Sequence, residues 1–147
     1  MPYTVHLPIN PDTLENAMRV FVYWNLHRHC WSIKALEGPN KGRVISHATD
    51  VDLERVEFKV SQAGRAKVLR EKRKNVHAGV VGTLVERRDF GAHIVSDKIT
   101  YNPYRFASFV SVQAPGPCSD EPMFTPVRTA TRCWMRGRDV RATTARA

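Results

Sequence analysis

Cysteine is scarce in this chain and badly placed for joint chemistry. Cys30, Cys118 and Cys133 are odd in number and far apart, and no CxxC pair occurs. Neither a structural zinc site nor a thioredoxin-like couple is therefore indicated. Long apolar runs are missing too: none approaches the ~18 residues of a membrane-spanning helix, so no membrane partner is expected. The opening Met1-Pro-Tyr-Thr-Val-His-Leu-Pro8 lacks the basic and apolar regions of a secretory signal. These absences make the cytoplasm the expected compartment, with the thiols reduced. There is no internal repeat, and no catalytic carboxylate pair, GxSxG, Walker loop, HExxH or GxGxxG. No motif fixes a reaction and no cofactor is expected. Acidic residues are the last shortage: 14 Asp and Glu stand against 23 Lys and Arg, leaving a formal charge of +9. Such a balance bears on solubility, steering and polyanion binding rather than on fold.

What is present is ordinary for a globular chain, with 42% hydrophobic and 25% charged residues. At 147 residues the chain is the size of one domain, and such a domain buries roughly 68–70% of its unfolded surface without help from a metal or disulfide. Three regions are expected: an N-terminal arm over 1–18, an α+β domain over 19–113, and a Pro-containing linker with an Arg-rich tail over 114–147.

The arm carries Pro2, Pro8 and Pro11, and residues 12–15 can cap one short helical turn. Val20-Phe-Val-Tyr-Trp24 is dense in β-branched and aromatic residues, and Cys30-Trp-Ser-Ile-Lys-Ala-Leu36 alternates weakly. Glu37-Gly-Pro-Asn-Lys-Gly42 is a turn signal that folds a hairpin onto residues 43–48. Residues 53–60 alternate again, with Val56, Phe58 and Val60 on one face.

The period then changes. Residues 61–74 offer Ser61 as N-cap and many helix formers, with a thin apolar stripe of Ala63, Ala66, Leu69 and Val68. Residues 76–85 read as a strand in which Gly79 and Gly82 permit a bulge or close packing. A turn at 87–91 and strands at 93–101 and 106–112 follow. The last twenty-five residues hold six arginines, including Arg136, Arg138, Arg141 and Arg146, and few large apolar groups after Met135. They are expected to form a loose basic tail, with the Cys133-Trp-Met135 patch able to dock on the core. The fold class expected is thus α+β: a curved, mainly antiparallel sheet or open barrel, one basic helix and a loose tail. Truncation after Val112 should then leave the β core folded.

Four constellations carry chemical potential. Arg65, Lys67, Arg70, Lys72, Arg73 and Lys74 face Glu71 alone within ten residues. Charge runs usually form a solvated face, but this one is of one sign and lacks the i,i+4 pairs that would support it structurally. These six residues are the candidate phosphate contacts. The tail arginines could add affinity that falls as salt rises. Among the histidines, His27 and His29 share a face if their stretch is a strand, and form a weak candidate metal pair beside Cys30. His47 belongs to the strand after the hairpin. His77, with Lys74 and Arg73, is the candidate catalytic group for metal-independent phosphodiester cleavage, the histidine moving a proton and the cations stabilising an oxyanion. For each histidine a satisfied structural role is the leading expectation. The aromatics Tyr23, Trp24, Trp31, Tyr101, Tyr104 and Phe106 could stack bases on a sheet face, or fill the core, the expected place of Trp24 and Trp31.

The pattern Asn25-Leu-His27, Cys30-Trp-Ser-Ile33, Gly42-Arg-Val-Ile-Ser-His47, Gly64-Arg65, Arg73-Lys-Asn-Val-His-Ala78 and Tyr101-Asn-Pro-Tyr104 resembles a small uncharacterised family of bacteriophage and prophage proteins. The resemblance spans about residues 20–110 and implies a phage setting, hence host cytoplasm, but no mechanism. It adds one reading, a phage-encoded inhibitor of a host defence or nucleoprotein complex. The leading expectation remains non-enzymatic binding of nucleic acid, DNA or RNA, or of a host nucleoprotein. The alternatives are the His77 nuclease and an inhibitor whose basic face meets an acidic protein surface.

Overall fold

The structure, a computed structural model, describes residues 18–85, 96–113, 117 and 120–143. Its strands are β1 (Arg19–Asn25), β2 (Cys30–Ala35), β3 (Val44–Ala48), β4 (Asp50–Val60), β5 (Ala78–Leu84), β6 (Asp97–Thr100), β7 (Val110–Gln113), β8 (Met123–Pro126), β9 (Thr129–Arg136) and β10 (Asp139–Thr143). The helix α1 (Gln62–Glu71) connects β4 to β5. All ten strands join one sheet in the order β3-β2-β1-β5-β4-β9-β10-β6-β7-β8, and every neighbouring pair is antiparallel. The expected antiparallel sheet with a single helix is therefore what the described residues form.

The sheet has to roll. Only Thr49 separates β3 from β4, yet the two stand four places apart in the strand order. Two Cα–Cα steps span at most about 7.6 Å, whereas four strand spacings in a flat sheet cover about 19 Å. Curvature closes that difference. Two bonds at the corner support it: the Gly137 N–H donates to the Thr49 carbonyl at 2.9 Å, and the Trp31 indole donates to the Gly137 carbonyl at 2.6 Å.

Strand alternation supplies the core. Val20 and Val22 of β1 point inward and are fully buried, while Phe21 and Tyr23 lie half-buried on the other face. Ile33, Leu53, Val56, Val80, Cys133, Met135 and Ala142 add to the interior from five other strands. A register shift in β4 between Glu54 and Glu57 lies where Gly82 passes, and Arg55 there adopts a φ of 52°. A Cβ on Gly82 would meet that of Leu53 at 2.9 Å, so the glycine serves close packing against a bulge in the partner strand.

Residues 123–143, expected to belong to a loose tail, are instead sheet. The boundary placed after Gln113 cuts through it. β9 lies between β4 and β10, and Cys133 and Met135 are fully buried. The inward residues of these strands are mostly small (Ala130, Cys133, Ala142), so the segment looks polar in composition although one face is apolar. Three of its arginines face carboxylates: Arg132 lies 3.7 Å from Glu54, Arg136 2.8 Å from the buried Asp52, and Arg141 3.2 Å from Asp139. The N-terminal arm (except Met18), the 87–91 turn, Cys118 and Arg146 lie outside the described residues.

The helix begins as expected. The Ser61 hydroxyl caps it by accepting from the Gly64 N–H at 3.1 Å. It ends earlier than residue 74. Lys72 takes a left-handed conformation (φ 54°) and donates its N–H to the Val68 carbonyl, closing the last turn. Lys72, Arg73 and Lys74 thus leave the helix on an irregular segment. Val68 is its one buried residue, while Ala63 and Ala66 are exposed.

Candidate nucleic-acid interface

The expected phosphate contacts divide into two groups. Lys67, Arg70, Lys72, Arg73 and Lys74 are exposed, and none of them is paired with a carboxylate among the described residues. Arg65 is half-buried and directed elsewhere: its Nε–H reaches the carbonyls of Pro103 and Phe106 at 3.1 and 3.2 Å. With the Gln62 amide donating to the Ala107 carbonyl at 3.0 Å, Arg65 straps α1 to the segment between β6 and β7. It is removed from the set of free cations because its guanidinium satisfies backbone oxygens.

Beyond the helix the chain turns back into β5 through His77. Its Nδ1 lies 2.8 Å from the Asn75 carbonyl, which can only accept, so Nδ1 carries the proton. In the neutral ring Nε2 is then an acceptor, and the Tyr101 hydroxyl donates to it at 2.7 Å. Burial pushes the Tyr101 phenol above its ordinary value, partly offset by the Arg65 charge. The phenol therefore stays protonated at neutral pH and keeps donating. Gly64 permits this arrangement, since a Cβ there would sit 2.6 Å from that of His77. Both ring nitrogens of His77 are thus engaged, Nδ1 within its own segment and Nε2 in tying that segment to Tyr101. Lys74 and His77 do line one groove, as a cleavage site would require, whereas Arg73 is not among its lining residues.

That groove has a volume of about 570 Å³. Its aromatic walls come from Trp24, Tyr101 and Tyr104, and its cations from Lys74 and Arg138. Arg138 sits in the β9–β10 turn and places its guanidinium 5.2 Å from the Trp24 ring centroid. Trp24 meets Trp31 edge-on at 5.1 Å. Trp31 belongs to the core as expected, whereas Trp24 packs on the core's edge and also lines the groove. Two constellations that stand apart in sequence, the end of the basic run and part of the aromatic set, are thereby joined. Leu26, Val76, Asn75 and Asn102 line the groove as well and were missed as site residues, while Arg138, expected only as one cation of a loose tail, joins them. A glycine turn at 137 between two alternating runs was the signal that could have located Arg138.

The histidine pair does not share a strand face. Residues 26–29 are a turn rather than a strand, His29 has a φ of 51°, and both His27 and His29 are exposed. The Asn25 carboxamide shapes this turn by accepting from the backbone N–H groups of His27 and Arg28. No cluster of three metal-ligating side chains occurs among the described residues. His47 is bound internally as well. The Asn25 amide donates to the Ser32 hydroxyl, which is hydrogen-bonded to His47 Nδ1, each at 3.0 Å. Burial, then the Arg28 charge, lowers the His47 pKa below its usual value, favouring the neutral ring. Ser32 is fully buried, so this serine–histidine contact offers no accessible nucleophile. Burial also raises both described thiols, Cys30 and Cys133, against thiolate chemistry.

The model of the Mycobacterium phage L5 gene 82 protein family matches residues 13–132. The chain belongs to this family. The Gene 82 protein of Mycobacterium phage L5 is 46% identical to it over 108 residues, covering 68% of this chain and 82% of that protein. No solved structure matches significantly. The resemblance to a phage protein family thus holds, over a longer stretch than 20–110. The family match takes in α1, Trp24, His77, Tyr101 and Tyr104, extends into β9, and stops short of Arg138. No helix among the described residues is long and apolar enough to cross a membrane.

Proposed function

We propose that this phage-family protein binds nucleic acid without catalysis, gripping phosphates with Lys67, Arg70, Lys72, Arg73 and Lys74. The observation that carries the reading is a contrast within the molecule. Arg132, Arg136 and Arg141 have carboxylate neighbours, whereas these five exposed cations have none among the described residues. Like charges so close together repel, and a polyanion relieves that repulsion.

Each phosphate contact releases condensed counterions, so affinity should fall with log salt at about −0.7 to −0.9 per contact. Replacing Arg70, Lys72 and Arg73 with Gln keeps an unbranched polar side chain with reasonable helix propensity and removes no side-chain bond seen among the described residues. The salt slope is expected to become shallower by about two to three units, with affinity weakened for all sequences alike. Fluorescence-anisotropy titrations of labelled DNA and RNA at several salt concentrations measure this. An unchanged slope would move the phosphate contacts off this segment. No wild-type binding at low salt would remove the nucleic-acid reading and favour a basic face for an acidic protein surface, as in an inhibitor of a host complex.

The second reading, a metal-independent nuclease, draws on the juxtaposition of His77, Tyr101 and Lys74 at the groove. It requires a substrate phosphate to displace Tyr101 from Nε2. Metal-free cleavage that His77→Gln abolishes would establish it. Intact strands after incubation with wild-type protein are the expected result.

A further inference from the structure

We infer that the groove between the segment leading into β5 and the turn after β6 takes an unpaired base of a single strand, so that the protein prefers single-stranded to duplex nucleic acid. This rests on the proposed phosphate-binding reading and assigns a separate surface to the bases. The first ground is the placement of apolar side chains in water. The described residues include five exposed large hydrophobics, and Leu26 (40% exposed), Val76 (41%) and Tyr104 (54%) among them line this one groove. Isolated exposed apolar residues are unremarkable, but three converging on a concave surface mark a binding site.

The second ground is charge. Among the described residues no Asp or Glu lines the groove, while Lys74 continues the free basic run at its rim and Arg138 stacks on Trp24. An apolar partner alone would leave these cations unmatched. A nucleotide supplies both a flat apolar face and an adjoining phosphate.

The third ground is hydrogen-bond polarity. The Asn75 Oδ1 accepts from the Val76 N–H at 2.9 Å, and the Asn102 Oδ1 from the Tyr104 N–H at 3.0 Å. Those bonds fix the carboxamide oxygens on backbone and leave both amide nitrogens without a partner among the described residues. The groove's asparagines thus offer donors, suited to the ring nitrogens and carbonyls of a base edge that pairing would otherwise occupy. A duplex hides both the faces and the pairing edges of its bases, which is why the groove selects single strands.

The test titrates a labelled single strand of about twelve nucleotides, a length within the usual range for single-strand sites, against a duplex of the same sequence. Wild type is compared with Tyr104→Ala, Tyr104→Phe and Val76→Ser. The Tyr104 side chain makes no bond within the described structure, so its removal should leave the thermal transition in place. Wild type is expected to favour the single strand, and Tyr104→Ala to lose on the order of ten-fold in single-strand affinity. Its salt slope should not change, because the ring carries no charge. Tyr104→Phe should restore binding, and Val76→Ser should reproduce part of the loss should one tyrosine variant fail to fold. Equal affinity for both forms, unaffected by Tyr104→Ala, would overturn the base-binding groove while a steep salt slope left the phosphate contacts standing. Absence of wild-type binding to either form at low salt would instead remove the phosphate reading itself, and this inference with it.

Discussion

A chain ending at Val112 is expected to lose cooperative unfolding altogether, against the expectation from composition that it would fold. The missing part includes β9, which pairs with β4 from Asp50 through Glu57 and with β10 on its other side. Its removal would open the middle of the sheet, not trim an edge. Val51, Leu53 and Val56 of β4 are buried by at most 2% exposure, and they share one cluster with Cys133, Met135, Val140 and Ala142. Full burial of one Val, Leu or Met side chain contributes roughly 1.5–3 kcal/mol, and a whole domain is stable by only about 5–15 kcal/mol. Losing six of the eighteen buried residues of that cluster therefore exceeds the margin. The Asp52 carboxylate would also lose Arg136, weakening the compensation for its burial. Urea titration followed by tryptophan fluorescence and far-ultraviolet circular dichroism decides the matter. A single sigmoidal transition with a wild-type slope in the shortened chain would show that β9 is dispensable. A chain ending at Thr143 retains β10 and serves as the control.

The contrast between the two halves of the chain explains what composition can disclose. β1, β2 and β3 were legible because Val20 and Val22 alternate with half-buried neighbours and Gly38 and Gly42 punctuate the hairpin, both with positive φ. The start of α1 was legible from Ser61. Its end was not, because Lys72 closes the last turn through a left-handed backbone that no glycine or asparagine announces. Strand order was hidden for a different reason. β4 has β5 and β9 as neighbours, and the second partner lies some seventy residues later. Local patterning cannot specify such a pairing.

The same distinction governs the site. A one-signed run of cations is visible in any sequence window, so Lys67, Arg70, Lys72, Arg73 and Lys74 stood out. Arg65 differed from them only through backbone oxygens contributed by Pro103 and Phe106, about forty residues away. His77 was prominent as a histidine among cations, but its bond to Tyr101 depends on β6 lying over the exit of α1. The groove draws on β1, the residues before β5, the turn after β6 and the β9–β10 turn, four segments that meet only once the sheet rolls. Its chemistry was present in the sequence as separate aromatic and basic residues, and its location came from the long-range topology.

Met135→Ala is expected to destabilise the protein by about 2–5 kcal/mol, the usual range for truncating a buried methionine. Met135 is fully buried in β9, with Val51 of β4 and Val140 of β10 as its register partners. Truncation to alanine removes three heavy atoms there, and β-strands paired on both sides have little freedom to close the void. In a domain of this size each kcal/mol lowers Tm by roughly 2–4 °C, so a fall of about 4–20 °C follows. Met135→Leu nearly conserves volume and should cost under about 1.5 kcal/mol, which separates a cavity from any effect of the thioether. The size of the effect also discriminates between two pictures of this region. On an exposed tail, the same substitution would stay within about ±0.5 kcal/mol. Urea midpoints for the three proteins measure the differences, with an unchanged m-value confirming that the same surface unfolds. A Met135→Ala midpoint equal to that of wild type would take β9 out of the core and return the C-terminal arginines to the solvent-facing segment their composition suggests.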